Sequence, residues 1–258
     1  MNIIETSKLT KSFGGLKAVQ EVDFEIEKGA ITAIIGPNGA GKSTFFNLIS
    51  GFHRPTSGSV VFNETDITKK PAHKIARLGV ARTFQTTNLF EQSTVLDNVI
   101  VGHRLRTKAG LFDAIFRTPR EKREERQAKE KAEEMLEFSG LTDLAYQPAG
   151  SISQEAKKRT AIALALSTDP DIVFLDEPAA GVNPDETDGL AALMRKIAEN
   201  GITVCTIEHK MQMIMSLADK IMVLNQGKKI AEGTPEEVQN NNAVIDAYLG
   251  GDAVAEAQ

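Results

Sequence analysis

The chain has 258 residues, of which 41% are hydrophobic and 25% charged, as is typical of a globular domain that buries a full core. Its 35 acidic and 30 basic side chains give a formal net charge of -5, which excludes the strongly basic face of a nucleic-acid coat protein. The single cysteine, Cys205, excludes a disulfide framework, and the lack of a signal peptide or of any run of about 18 apolar residues predicts a cytosolic protein.

The first sixty residues have the patterns of strands around one helix. Apolar and acidic residues alternate over 22–27, which predicts a half-solvated antiparallel strand. Residues 31–35 are almost continuously apolar, as expected of a strand covered on both faces, and residues 42–51 are helical in pattern. Antiparallel pairing is indicated again at 58–62, after a Pro-Thr-Ser-Gly turn.

The middle of the chain is helical and charged. Residues 117–134 carry seven basic and six acidic side chains, with opposite charges four residues apart, and this balance favours a solvated helix face over a polyanion site. Three short apolar runs then alternate with helical stretches, which predicts a parallel sheet with crossover helices. We therefore expect one domain, 1–258, with a helical subdomain at about 86–166 and a flexible tail at 250–258.

One glycine-rich segment matches the pattern G-x-x-x-x-G-K-[ST] between a predicted buried strand and a predicted helix. In such a loop, backbone N–H groups surround a polyphosphate, and the helix N-terminus favours negative charge. Lys42 is expected to reach the β and γ oxygens of ATP, and the Ser43 hydroxyl to bind Mg²⁺. The alternative is a chance glycine-rich turn. The predicted nucleotide-binding residues of the loop are Gly36, Pro37, Asn38, Gly39, Ala40, Gly41, Lys42, Ser43 and Thr44.

A second pattern is an apolar run, 172–175, followed by two carboxylates. Asp176, at the end of the predicted strand, is expected to orient the water shell of Mg²⁺. Glu177, one residue further, is placed to polarise the attacking water. Such strand ends also occur without a function, but the phosphate loop upstream favours the catalytic interpretation.

With both motifs present, the chain resembles the ATP-binding subunits of ABC transporters over nearly its whole length. The resemblance implies an α/β fold: a P-loop ABC-type nucleotide-binding domain with an antiparallel β subdomain and a helical subdomain. It implies that Phe13 stacks on adenine, with a packed core aromatic as the alternative. Gln85, in Ala-Arg-Thr-Phe-Gln, matches the glutamine that contacts Mg²⁺ and senses the membrane subunit. His209, in Ile-Glu-His, matches the switch histidine that contacts the γ-phosphate.

Segments 81–85, 177–184 and 244–250 resemble, within that family, the ATPases of branched-chain amino acid importers. ATPases of urea importers and of lipopolysaccharide export have similar endings. The resemblance implies an ATPase at the cytoplasmic face of the inner membrane that powers uptake of branched-chain or other amino acids. Its implied partners are membrane-spanning permease subunits, a second ATPase subunit and, indirectly, an extracytoplasmic solute-binding protein. No nucleic acid is expected among them.

One segment departs from the family pattern. The family has a Leu-Ser-Gly-Gly-Gln signature, which caps the partner subunit's ATP, and the equivalent residues here are Ile-Ser-Gln-Glu-Ala at 152–156. Ser153 is retained and can donate to a γ-phosphate, whereas Ala156 replaces the glutamine. Glu155 replaces the second glycine. If its carboxylate lay about 5 Å from a phosphate, at an effective dielectric of 20, the repulsion energy would be roughly 3 kcal/mol per unit of phosphate charge. Rotation of the side chain would reduce this energy.

This departure predicts an asymmetric dimer. Each ATP of such a dimer lies between the phosphate loop of one chain and the signature of the other, so a homodimer would carry the altered signature in both sites. A heterodimer with an intact partner signature would complete one competent site with Lys42, Asp176, Glu177 and His209 of this chain. The alternative is that Glu155 turns to solvent and both sites work.

Two other functions remain to be weighed. A regulatory nucleotide-binding subunit with impaired hydrolysis fits the altered signature, but it has little use for Glu177 and His209. A non-transport ABC ATPase acting on DNA or ribosomes is expected to have tandem domains or long coiled-coil insertions, which this chain lacks.

A groove for the permease is expected near residues 85–102. Four apolar residues would line this groove or pack inside the helical subdomain: Leu111, Phe112, Ile115 and Phe116.

Overall fold

Two β-sheets organise the chain in the computed structural model, which describes residues 1–83, 89–103 and 118–255, with side chains to residue 248. The strands are β1 (Asn2–Phe13), β2 (Leu16–Glu27), β3 (Ile31–Ile35), β4 (Ser57–Phe62), β5 (Thr65–Asp66), β6 (Val80–Arg82), β7 (Ile172–Asp176), β8 (Thr203–Ile207), β9 (Lys220–Asn225) and β10 (Lys228–Gly233).

The first sheet is antiparallel, with the strand order β2-β1-β4-β5. On β2, Val22, Phe24 and Ile26 are buried while the acidic residues between them are exposed, which confirms the predicted alternation. The second sheet has the order β10-β9-β3-β8-β7-β6 and is parallel except for β10. Strands β3, β7 and β8 are buried along their whole length, as their apolar composition predicts.

Helices follow and connect the strands. They are α1 (Lys42–Ile49), α2 (Ala72–Arg77), α3 (Val95–His103), α4 (Pro119–Phe138), α5 (Gln154–Leu166), α6 (Pro184–Glu199), α7 (Met211–Leu217), α8 (Pro235–Gln239) and α9 (Asn242–Ala255). Helices α3, α4 and α5 pack on one another and follow β6 in the chain, within the predicted insert. In the part of the chain that the structure describes, no helix is both long and apolar enough to cross a membrane.

The ends of two helices bear on the sequence prediction. Helix α9 includes residues 250–255, and the flexible tail expected at 250–258 stays a prediction. Helix α1 ends at Ile49, two residues earlier than predicted, because Gly51 has a positive φ of 76° that ends a helix.

Candidate functional site

The glycine-rich loop turns from the end of β3 into the start of α1 (Lys42–Ile49). Gly36 has a φ of 149°, and a Cβ there would overlap the carbonyl oxygen of Leu224 on β9. Gly41, the N-cap of α1, has a φ of 99°, and a Cβ there would overlap the carbonyl oxygen of Ala18. The two glycines are therefore required both by backbone conformation and by close packing.

Lys42 lies inside the curve of this loop. Its side-chain Nζ donates to the carbonyl oxygens of Gly36, at 2.7 Å, and Pro37, at 3.0 Å, and the residue is only 6% exposed. Burial lowers the pKa of the ammonium group, and the negative charge of Glu177 partly offsets that effect. A partly desolvated cation at this position interacts more strongly with a polyphosphate than one in bulk water.

The two carboxylates at the end of β7 (Ile172–Asp176) have different surroundings. Asp176 is buried, and its Oδ2 forms an ion pair of 2.8 Å with Arg82 on the neighbouring strand β6. Glu177 has a left-handed backbone with a φ of 48°, which non-glycine residues seldom adopt. Its Oε1 lies 3.2 Å from the Nε2 of His209, which follows β8, so the parallel strands bring the predicted base and switch histidine together.

Sequence reasoning missed two buried charges that hold these loops. Glu208 is 3% exposed and accepts hydrogen bonds from the backbone N–H of Ala179, at 2.6 Å, and of His209, at 3.1 Å. Lys158 on α5 (Gln154–Leu166) donates to the carbonyl oxygen of Glu177 at 3.3 Å. Burial lowers the pKa of Lys158, and nearby acidic charges, Glu208 first among them, oppose this.

A pocket of about 850 Å³ brings most of the predicted site residues together. Phe13 lies at its edge with 45% of its surface exposed, and its ring meets His53 edge to face at 5.6 Å between centroids. The alternative of a packed core aromatic therefore does not hold for Phe13. Of the predicted residues, those that line the pocket are Phe13, Asn38, Gly39, Ala40, Gly41, Lys42, Ser43, Thr44, Glu177 and His209.

The residues present fit a magnesium nucleotide. Mg²⁺ takes oxygen ligands, and in nucleotide sites it uses one or two protein oxygens besides phosphates and waters. Ser43 at the start of α1 and Asp176 at the end of β7 offer a hydroxyl and a carboxylate for this purpose. Among the described residues no cluster of three or more His, Cys, Asp or Glu side chains forms an independent metal cage. Gln85, the third predicted magnesium contact, lies outside the described residues.

The altered signature has a local structure that the sequence did not predict. Ser153 is the N-cap of α5, and its hydroxyl accepts the N–H of Ala156 at 3.1 Å. The carboxylate of Glu155 forms an ion pair with Arg159 one turn later in the helix. The repulsion expected for Glu155 treats its charge as isolated, whereas Arg159 compensates that charge. Ala156 is 3% exposed, so its small side chain belongs to the core.

Comparison with known proteins agrees with this arrangement. Residues 19–180 match the ABC transporter family, and residues 228–254 match the family of branched-chain amino acid ATP-binding cassette transporters. The chain is 45% identical to the high-affinity branched-chain amino acid transport ATP-binding protein BraF of Pseudomonas aeruginosa, over 96% of this chain and 98% of BraF. It is 41% identical to LivG of Escherichia coli, a protein of the same description, with the same coverage.

Solved structures give the same result. A nucleotide-free ATP-binding cassette from an ABC transporter superposes with a TM-score of 0.85 at 34% identity, covering 96% of this chain and 99% of that one. A second cassette, in its ADP conformation, also gives a TM-score of 0.85, at 33% identity over 97% and 99% of the two chains. These matches confirm the predicted fold class, and the chain belongs to the ABC transporter family, as an ATPase in its group of branched-chain amino acid transport ATP-binding proteins.

Proposed function

We propose that this chain hydrolyses MgATP to power an importer of branched-chain or related amino acids, as a peripheral subunit at the cytoplasmic face of the inner membrane. The observation that carries the proposal is the meeting of Lys42, Glu177 and His209 in one pocket, in a chain 45% identical to BraF. The direct test is reconstitution with the cognate permease and binding protein in vesicles. ATP supplied on the side of this chain should drive uptake of radiolabelled leucine, and uptake of an unrelated solute alone would contradict the substrate class.

The site residues fall into those that bind MgATP and those that activate the attacking water. Mg²⁺ bound by Ser43 and Asp176 would neutralise charge on the β and γ oxygens of ATP. Lys42 and the N–H groups of the glycine loop stabilise the charge that develops during in-line attack by water. Glu177 orients and polarises that water, and its contact with His209 supports a role for the histidine at the γ-phosphate. Phe13 offers an exposed ring on which adenine can stack.

A second pocket supports a proposal for how the permease docks. It has a volume of about 250 Å³, lies between α2, β6 and α5, and has a largely apolar wall. We infer that it receives an apolar side chain from a helix of the permease, since short helices commonly anchor by apolar residues in such grooves. Strand β6 leads into the predicted groove at 85–102, whereas Leu111, Phe112, Ile115 and Phe116 lie outside the described residues. The apolar wall is formed mainly by Phe52, Ile75, Ala76, Val80, Leu164 and Ala165.

Blocking this pocket should uncouple the ATPase from the permease. In Ala76→Arg, a long charged side chain on α2 enters the apolar pocket without replacing a core residue. Co-purification of the variant with the permease should fall about tenfold or more, because burying an unpaired charge costs at least about 1.4 kcal/mol. Nucleotide affinity of the isolated chain should not change. Ala243→Arg, on the exposed start of α9 (Asn242–Ala255), is the matched control. Undiminished co-purification of Ala76→Arg would refute this docking site.

We propose further that the chain works in a heterodimer with a second ATPase subunit whose signature is intact. Support comes from the altered signature: the side chain of Ala156 is buried, and it has no amide to offer a nucleotide. The ion pair of Glu155 with Arg159 reduces the electrostatic defect but does not restore the two missing glycines. The site that this chain completes with its own Glu177 would face the intact signature.

The asymmetry has a quantitative test in the assembled transporter. Glu177→Gln in this chain should abolish most of the turnover, whereas the same change in the corresponding glutamate of the partner ATPase should reduce it less than twofold. Glu155→Gln should leave turnover unchanged, because Arg159 already compensates the charge of Glu155. Steady-state phosphate release from the purified complexes measures all three. Equal losses from the two glutamate variants would show that both sites work and would refute the asymmetric dimer.

A further inference from the structure

Arg82, at the end of β6, contacts both the strand and the helix that carry the two proposed magnesium ligands. Its NH2 group lies 2.8 Å from Oδ2 of Asp176. Its NH1 group donates to Oδ1 of Asn47, at 2.7 Å, and to Oγ of Ser50, at 2.8 Å. Asn47 belongs to α1 and Ser50 is its C-cap, so one guanidinium connects the helix that begins with Lys42 and Ser43 to the strand that ends with Asp176.

The surroundings hold this guanidinium in place. The central carbon of the guanidinium, Cζ of Arg82, lies 5.4 Å from the ring centroid of Phe46 and 5.1 Å from that of Phe52. The side chains of Arg82 and Asp176 are each 8% exposed, so the ion pair is shielded from water. Removing the cation would leave a buried carboxylate without its charge partner and free to turn toward water. That movement would displace an oxygen ligand that has to be held in place.

We infer that Arg82 is a positioning residue that holds Asp176 and helix α1 in the relative placement that Mg²⁺ requires. The inference rests on the proposed use of Mg²⁺ by this site. Planarity and several donors suit the role, because the guanidinium bonds the carboxylate with one terminal nitrogen and the helix with the other. An ammonium group can pair with Asp176 but offers no such fork.

The test measures how much Mg²⁺ improves nucleotide binding by the isolated full chain. The dissociation constant of a non-hydrolysable ATP analogue is determined by calorimetry in EDTA and in excess Mg²⁺, and the ratio of the two constants is the readout. Arg82→Met should lower this ratio about tenfold, the usual effect of losing a group that orients a metal ligand. The constant in EDTA should change much less, since the phosphate loop is untouched. Arg77→Met, at an exposed arginine of α2, is the control and should keep the wild-type ratio.

Two further variants separate positioning from a merely structural role. Arg82→Lys keeps a cation beside Asp176 and should give an intermediate ratio. Asn47→Ala combined with Ser50→Ala keeps the ion pair but frees the guanidinium from α1, and it should also lower the ratio. These two variants decide the question if Arg82→Met fails to fold, as its melting temperature in EDTA will show.

The possible outcomes are distinct. A wild-type ratio in a folded Arg82→Met, or in the Asn47/Ser50 double variant, overturns the inference. A ratio that rises in Arg82→Met shows that Arg82 competes with Mg²⁺ for Asp176, which also overturns it. If Mg²⁺ does not improve nucleotide binding by the wild-type chain, the proposed magnesium site itself fails. Permease docking plays no part in this measurement. Failure of the proposed docking site would appear only in co-purification of the Ala76→Arg variant with the permease.

Discussion

Glu177→Gln is expected to reduce ATP turnover by about 100- to 10,000-fold, the usual contribution of a positioned general base. Glutamine has the same shape as glutamate and can keep the contact with His209, but its amide cannot polarise water as a carboxylate does. Because the left-handed backbone at this position is unchanged, the loop should keep its conformation. Phosphate release under saturating MgATP by the complex with the partner ATPase measures the loss.

Binding separates this effect from a folding defect. The Glu177→Gln variant should bind MgATP at least as tightly as the wild-type chain, because it retains the phosphate loop and loses one negative charge near the polyphosphate. Glu199→Gln, at the exposed end of α6 (Pro184–Glu199), is the matched control and should turn over normally. If the Glu177→Gln variant turned over ATP within twofold of wild type, Glu177 would not be the general base.

The second large effect is expected for Gly36→Ala. The added Cβ would overlap the carbonyl oxygen of Leu224, in a backbone conformation that alanine rarely adopts. Overpacking against backbone and strain at a positive φ together should lower the free energy of unfolding by about 3 kcal/mol or more. The phosphate loop should also be displaced, so nucleotide binding should be lost even where the chain still folds.

Urea unfolding of the Gly36→Ala variant gives the loss of stability, and calorimetry with MgATP gives the loss of binding. Gly29→Ala is the matched control, since Gly29 also has a positive φ, 78°, but nothing lies within 4 Å of the added Cβ. The control should lose only about 1–2 kcal/mol, the cost of the backbone conformation. Equal losses in the two variants would mean that contact with Leu224 contributes nothing.

Sequence reasoning succeeded where the chemistry depends on neighbours in the chain. The phosphate loop needs glycines, a lysine and a hydroxyl at fixed spacing between a strand and a helix, and the structure shows that connection. The apolar runs of β3, β7 and β8 were predictable because a parallel strand covered on both faces must be apolar throughout. For the same reason the carboxylates Asp176 and Glu177 stood out as polar residues directly after a buried run.

Sequence reasoning was less successful at the altered signature, residues 152–156. Substitution of a glycine by Glu155 predicts repulsion from a polyphosphate when the residue is considered alone. The helix that begins beside it places Arg159 one turn away, where opposite charges pair, and that spacing was visible in the sequence. The burial of Ala156 was not visible, because an alanine fits a helix surface as well as a core.

The sequence by itself determined the fold class, the phosphate loop and the order of the catalytic motifs, because each depends on residues adjacent in the chain. Only the tertiary structure decided which buried charges hold those motifs. Arg82 meets Asp176 across 94 positions, and Glu208 meets Ala179 across 29. Such pairs leave no periodic trace in the sequence, since the partners are brought together by the parallel order of β6, β7 and β8.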